Sequence, residues 1–212
     1  LEFDPKHALA WNNRGNAKKD KKDYDGAIAD YTRALEIDPR NAQACTNRGN
    51  ARKDRKDFAG AIADYTRALE LDPNSGWSYY RRGCIRYETQ VWPEALADYR
   101  RVLGKDAPRQ DYARIRIHLV QARQGEGEAA TSALAAYRKE RAADKKGNWE
   151  DRILAFLTGA LSEKELLDGV PPSDTARTCQ ALFYAGTRRL ISGDKAAATQ
   201  LFRRCLETGQ KD

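Results

Sequence analysis

The residues that most often carry catalysis or bind metals are few and dispersed in this chain. His118 lies in a predicted helix with no carboxylate or second histidine three or four residues away, which is the spacing of a metal pair on one helix face. We interpret it as a histidine that packs against another helix or lies at the surface, and His7 as part of a turn. The cysteines form no C-x-x-C pair, so free thiols are expected: Cys45, Cys84, Cys179 and Cys205.

Motifs of common enzymes are also missing from the sequence. It has no G-x-x-x-x-G-K-[ST] phosphate loop and no G-x-S-x-G nucleophile elbow. Acidic residues instead recur at equivalent places, as Asp20 with Asp54 and Asp30 with Asp64, so they belong to a repeated unit and mark no unique site. The sequence therefore predicts a protein that is not an enzyme, with no catalytic residues, no cofactor and no metal.

Composition and charge restrict the partners. The 212 residues include 38 basic and 31 acidic side chains, a formal net charge of +7. Residues 1–107 hold 20 basic and 17 acidic groups, and residues 108–212 hold 18 and 14. Nucleic-acid binding needs concentrated positive charge, so this even distribution argues against a nucleic-acid partner. No run approaches the roughly 20 apolar residues of a bilayer crossing, so no membrane insertion is expected within this chain.

A period of 34 residues organises the first half. Residues 13–17 recur as 47–51, and residues 26–36 recur as 60–70; a third, diverged copy follows at the same offset. Within one copy, apolar and small residues fall at helical spacing from about Ala8 to Lys19 and from about Tyr24 to Ile37. An Asp-Pro pair ends the second block, because proline cannot continue a helix. Each copy is therefore predicted to be an antiparallel helical hairpin.

The repeat resembles the tetratricopeptide repeat (TPR), whose pattern is filled here by Trp11, Gly15, Ala27, Tyr31, Ala34 and Pro39. The resemblance implies an all-α fold, a right-handed α-solenoid of TPR helical hairpins (an α-α superhelix). Two family positions differ, since basic residues replace a leucine and a tyrosine of the first helix. We expect their long stems to cover apolar surface while their charges reach water. They are Arg14, Arg48 and Arg82 at the leucine position, and Lys18, Arg52 and Arg86 at the tyrosine position.

The same comparison predicts the domain organisation. Residues 1–107 form a TPR array, in which the tail of a truncated repeat precedes three repeats. Residues 108–147, where Pro108 breaks the register, form a degenerate TPR-like hairpin. A helical connector at 148–172 contains a predicted S-x-x-E capping box, and residues 173–212 form a C-terminal TPR. The second half is also loosely similar to bacterial TPR lipoprotein scaffolds, a likeness compatible with either the cytoplasm or the periplasm.

In TPR proteins the first helices line a concave groove, and this resemblance assigns the candidate peptide-binding residues. Asparagine amides both donate and accept, so Asn13 and Asn47 are predicted to form a ladder that pairs with a peptide backbone, or else merely to solvate the groove. Asn16, Asn47 and Arg81 match three of the five positions of the TPR clamp for acidic chaperone tails. The full predicted set is Asn12, Asn13, Asn16, Thr46, Asn47, Asn50, Trp77, Tyr80, Arg81 and Cys84.

These observations predict a protein–protein interaction scaffold or adaptor. Its expected partner is a protein or peptide ligand, extended or helical. The basic runs 18–22 and 52–56 would attract an acidic partner. The helix dipole alone also explains these runs, because cations are favoured near the end of a helix. The alternative is a structural TPR protein that self-assembles into a homo-oligomer. In that case an apolar end at Leu1 and Phe3, left by the truncated repeat, stacks on a neighbouring copy.

Overall fold

The computed structural model describes residues 7–104, 109–141 and 147–209, and those residues contain helices and no strand. The chain divides into two compact units, Leu1–Ala113 and Arg114–Asp212. Leu1, Phe3 and Pro108 lie outside the described residues. No helix in the described part is both long enough and apolar enough to cross a membrane.

Three helical hairpins form most of the N-terminal unit, and the predicted all-α TPR solenoid is confirmed. In the first two hairpins the first helix is polar and has no clear apolar face, whereas the second helix of all three hairpins is amphipathic. An aspartate N-cap starts the second helix in two hairpins, where Asp23 and Asp57 accept from the backbone N–H of Gly26 and Gly60. The hairpins are α1 (Ala8–Asp20) with α2 (Tyr24–Ile37), α3 (Ala42–Asp54) with α4 (Phe58–Leu71), and α5 (Gly76–Glu88) with α6 (Trp92–Val102).

A glycine faces a buried tyrosine inside each of these hairpins. A Cβ atom added at Gly15 would lie 2.7 Å from Cε1 of Tyr31, and one added at Gly49 would lie 2.9 Å from Cε1 of Tyr65. A Cβ atom does not fit at these positions, so the glycine allows the tyrosine ring to pack directly on the backbone of the first helix.

Each of the six basic residues that replace family apolar residues pairs with an aspartate of the second helix that is at most 3% exposed. The basic side chains themselves are half-buried or, for Arg14, exposed. These ion pairs were not part of the expectation from the sequence. Asp64 pairs with Arg48 at 2.7 Å and with Arg52 at 2.9 Å. The equivalent pairs, which we call the buried aspartate clusters, are Arg14 and Lys18 with Asp30, and Arg82 and Arg86 with Asp98.

These clusters also join one hairpin to the next. Nη1 of Arg48 donates to Oγ1 of Thr32 at 3.1 Å, and Nη1 of Arg82 donates to Oγ1 of Thr66 at 2.9 Å. Each threonine lies on the second helix of the preceding hairpin. A planar guanidinium can bind a carboxylate and a hydroxyl together, whereas a leucine would contribute only apolar contact.

The six helices of the remaining sequence pack around a second core, which includes Ile153, Leu154, Phe156, Leu166 and Leu182. The predicted capping box is confirmed. The Ser162 side chain caps a short helix, and the backbone N–H of Ser162 donates to the Glu165 carboxylate. These helices are α7 (Gln110–Arg123), α8 (Gly127–Glu140), α9 (Trp149–Leu157), α10 (Glu163–Asp168), α11 (Thr175–Ile191) and α12 (Lys195–Gly209).

A disulfide joins Cys179 of α11 to Cys205 of α12, with the two Cα atoms 4.6 Å apart. The expectation of free thiols is wrong for this pair and is confirmed for Cys45 and Cys84. The cysteines are 26 residues apart, and the same separation in the N-terminal hairpins connects small residue pairs such as Ala8 with Ala34, and Ala42 with Ala68. The two cysteines therefore occupy the positions that hold these small residues in the other hairpins.

Replacing Asp64 with asparagine should destabilise the N-terminal unit by about 3 kcal/mol, because Arg48 and Arg52 then lose their buried anion. Urea unfolding monitored by circular dichroism measures this loss. Glu70→Gln is the matched control, since Glu70 pairs with Arg67 at the surface, where both side chains are at least half exposed, and its loss should cost less than about 1 kcal/mol. Equal losses for the two variants would contradict a structural role of the buried aspartate clusters.

The Asp30 cluster should make stability depend on acidity. Burial alone would raise the pKa of Asp30, but hydrogen bonds from Arg14 and Lys18 outweigh it and hold that pKa below its usual value. The ionised form therefore stabilises the fold above the unfolded pKa of about 3.9, and this contribution is lost as pH falls through the lower folded pKa. The stability difference between wild type and Asp30→Asn should be full at pH 6 and shrink below about pH 4; a constant difference would show that ionisation is irrelevant.

The disulfide should stabilise the C-terminal unit only under oxidising conditions. Cys205→Ser is expected to cost about 2–4 kcal/mol in thermal or urea unfolding without reductant, because the bond restricts the unfolded chain. Adding dithiothreitol should bring wild type down to the level of the variant. Cys84→Ser, at a free cysteine, is the control and should leave the response to reductant unchanged. A wild type that ignores reductant would argue against the bond.

Candidate functional site

The predicted peptide-binding residues lie on α1, α3 and α5, the first helices of the three N-terminal hairpins. Helix α3 contacts both α1 and α5, so the residues follow one another from hairpin to hairpin. We call the side of these helices that bears them the first-helix face. The described residues contain no group of three or more histidine, cysteine, aspartate or glutamate side chains placed to hold a metal ion.

Amide side chains form a hydrogen-bonded chain between the first two hairpins. Nδ2 of Asn47 donates to Oδ1 of Asn12 at 3.1 Å, and Nε2 of Gln43 donates to Oδ1 of Asn47 at 2.9 Å. The side chain of Asn13 is exposed and makes no hydrogen bond with the described residues. The ladder of Asn13 and Asn47 along a peptide backbone stays a prediction.

Two of the predicted residues are buried between hairpins. Asn12 is 6% exposed and Thr46 is 5% exposed. The Thr46 hydroxyl donates to the carbonyl of Ala42 and lies 3.1 Å from the hydroxyl of Ser78 on the next first helix. Asn12 and Thr46 therefore connect the hairpins, and ligand contact by their side chains would require them to leave these bonds.

Asn16 and Asn50 hold equivalent positions one repeat apart. Each accepts a hydrogen bond from a buried tyrosine hydroxyl, from Tyr31 at 2.7 Å and from Tyr65 at 2.8 Å. Burial raises the pKa of Tyr31 to about 12, and the negative charges of Asp20 and Asp30 add to this effect, so the hydroxyl remains a donor. Since the carbonyl oxygens are engaged, each asparagine has its NH₂ group left to donate. That group has no hydrogen-bond partner among the described residues.

The third hairpin gathers aromatic rings and positive charge. The guanidinium of Arg81 lies 3.9 Å from the centre of the Trp77 ring, and that of Arg109 lies 4.3 Å from it. Tyr80 stacks on Trp77 with ring centres 6.4 Å apart. Cys84, a half-buried free thiol, lies one turn after Tyr80 and Arg81. This corner combines a flat apolar surface with cations, an arrangement that suits a carboxylate next to an apolar group.

Arg81 differs from the other cations of α1, α3 and α5. All eight others form an ion pair: Arg14 and Lys18, Lys19, Arg48 and Arg52, Lys53, and Arg82 and Arg86. Arg81 has no carboxylate partner among the described residues, and its Nε atom is buried with no hydrogen-bond partner there. Its charge is therefore available to a ligand.

Arg109 was missing from the predicted site. It directly precedes α7, outside the three aligned copies, so the 34-residue pattern assigns no position to it.

The ten predicted residues divide into two that are buried and eight that are half-buried or exposed. The exposed or half-buried ones are Asn13, Asn16, Asn47, Asn50, Trp77, Tyr80, Arg81 and Cys84.

Comparison with known protein families and solved structures also identifies tetratricopeptide repeats in this chain. The tetratricopeptide repeat model matches residues 8–41 and 42–75, and no curated protein shows significant similarity to the chain. The second TPR domain of human RPAP3, solved in complex with the HSP70 peptide SGPTIEEVD, is 29% identical over 54% of this chain and 94% of that one, with a TM-score of 0.50.

Two further solved structures are similar. The Arabidopsis OM64 TPR domain is 27% identical over 55% of this chain and 96% of its own, with a TM-score of 0.52. MamA is 20% identical over 96% of this chain and 92% of its own, with a TM-score of 0.60, and supports the fold alone. With its two matched repeats, its period of 34 residues and its glycine–tyrosine hairpins, the chain belongs to the tetratricopeptide repeat family.

Proposed function

We propose that the protein is an interaction scaffold that binds an extended, acidic segment of a partner protein along the first-helix face. The observation that supports this most strongly is Arg81, the one cation of α1, α3 and α5 without an acidic partner among the described residues. A ligand carboxylate would supply the missing acidic partner by accepting hydrogen bonds from the half-buried guanidinium. The role involves no bond-making chemistry.

The asparagines supply the complementary part of such a site. The NH₂ groups of Asn16 and Asn50 are spaced by one repeat, and Asn13 is exposed beside them. These groups suit the carbonyl oxygens of an extended peptide, because backbone carbonyls occur in any sequence. Binding along the peptide would then be independent of side chains, and selectivity would come from the Trp77–Arg81 corner.

The similar domain of human RPAP3 gives a defined probe. Its peptide, SGPTIEEVD, ends in three acidic side chains within four residues and a free carboxylate. For this chain we expect micromolar affinity, roughly −8 kcal/mol, because a flexible peptide loses conformational freedom when it binds.

Replacing Arg81 with glutamine should raise the Kd for fluorescently labelled SGPTIEEVD at least tenfold in an anisotropy titration. The physical reason is the loss of a charged hydrogen bond to carboxylate, which contributes about 1.5–3 kcal/mol. Arg67→Gln removes the same charge from the outer surface of α4, where Arg67 pairs with Glu70, and should leave the Kd unchanged. Replacing Asn13 and Arg81 together by alanine should weaken binding further, while helicity and melting stay close to wild type, because Asn13 makes no hydrogen bond with the described residues.

Two results would contradict the proposal. One is a wild-type protein that does not bind the peptide even at millimolar concentration in low salt. The other is binding that Arg81→Gln and Arg67→Gln weaken equally, because that would indicate attraction by net charge and no defined site.

A further inference from the structure

A cleft of about 580 Å³ lies within the C-terminal unit, lined only by residues of that unit. Its volume falls in the range of small-molecule sites. Apolar side chains from three helices contribute to the lining, namely Ala122 of α7, Leu157 of α9 and Ile191 of α11. The peptide-binding role proposed above uses none of these residues.

Arg188 is the cation of this cleft, and it is held in place by its neighbours. Its Nη1 donates to the carbonyl of Phe156 at 2.8 Å, and its guanidinium lies 4.8 Å from the centre of the Phe156 ring. Arg188 forms no ion pair with a carboxylate of the described residues. The next residue, Arg189, by contrast, pairs with both Glu163 and Asp194. A fixed, unpaired guanidinium at a cleft is suited to bind an anion.

His118 lines the same cleft and is also unsatisfied. It is 6% exposed, and its Nδ1 has no hydrogen-bond partner in the described part of the chain. Burial lowers the pKa of His118, a hydrogen bond with the backbone of Ala130 opposes this, and the positive charge of Arg188 lowers it further. His118 and Arg188 both line this cleft. An anion bound there would offset the charge of Arg188 and so favour protonation of the His118 ring.

The first turn of α8 borders the cleft through Gly127 and Glu128. Its N-cap residue, Glu126, makes no side-chain capping bond. The first backbone N–H groups of a helix have no partner within the helix, and they favour negative charge. Glu128 carries the opposing charge, and because this residue lines the cleft it should weaken the binding of an anion.

We propose that this cleft binds a small carboxylate with a short apolar body. The carboxylate lies beside Arg188 and the first turn of α8, and the apolar body packs against Ala122, Leu157 and Ile191. Two sources share this chemistry, a free carboxylic acid and the carboxyl-terminal residue of a peptide. The charged groups that face the site are Arg188 from α11, Glu128 from α8 and, when protonated, His118 from α7; α9 contributes the uncharged Leu157 and Thr158.

The two histidines of the chain make the site directly observable. Titration of the full protein with sodium hexanoate, followed by proton NMR of the imidazole C2–H signals, should shift the His118 signal to saturation in the millimolar range. The pKa of His118 should rise, because the bound anion favours the protonated ring. The His7 signal, from the N-terminal unit, should stay in place. 1-Hexanol, which has the same apolar body without the charge, should bind at least tenfold more weakly.

Three variants separate this site from general attraction. Arg188→Gln should weaken hexanoate binding at least tenfold, whereas Arg189→Gln, which removes the same charge one residue away, should leave it unchanged. Glu128→Gln should strengthen binding several-fold, and this gain keeps the proposal testable even if Arg188→Gln disturbs the fold. If N-acetyl-leucine binds more tightly than hexanoate, the natural carboxylate is a peptide carboxyl terminus. If hexanoate binds more tightly, it is a free carboxylic acid. Three results would overturn the proposal. The His118 signal could stay in place, Arg188→Gln and Arg189→Gln could have equal effects, or hexanol could bind as tightly as hexanoate.

Discussion

The buried aspartate of each hairpin is the constraint on which the N-terminal unit depends. Asp64 lies between Arg48 and Arg52, and Arg48 also reaches Thr32 of the preceding hairpin. The hairpins are therefore joined by directional polar bonds at positions where the family usually has apolar residues. Such a network tolerates loss of one partner poorly, since the remaining charge stays buried, whereas replacing all partners by apolar residues can be neutral.

This use of charge determines what the first-helix face can offer a ligand. Because its other cations are paired, the net charge of +7 does not translate into a uniformly basic surface. Arg81 is the exception, and it lies against Trp77 with an unsatisfied Nε. We propose that one guanidinium and a flat aromatic surface select the partner, while the paired cations contribute to stability.

Sequence analysis predicted the hairpins and the capping box because these depend on residues close in sequence or on a regular period. It missed the pairing of Arg48 with Asp64, 16 residues apart, because a long basic side chain can either reach water or turn inward, and only the packing decides. The Cys179–Cys205 bond was missed for a related reason, since it appears only when the last hairpin is aligned with pairs such as Ala8 and Ala34. The cleft around Arg188 combines four helices of irregular spacing, and no repeat pattern predicts it.

The central claim is that the first-helix cations are engaged by the fold and that Arg81 alone is available to a partner. NMR of the ¹⁵N-labelled arginine Nε–H groups during titration with an acidic peptide tests it most directly. The account predicts that the Arg81 signal shifts and becomes protected from exchange, while the signals of Arg48 and Arg82 stay in place. Movement of Arg48 and Arg82 with an unchanged Arg81 signal would contradict it.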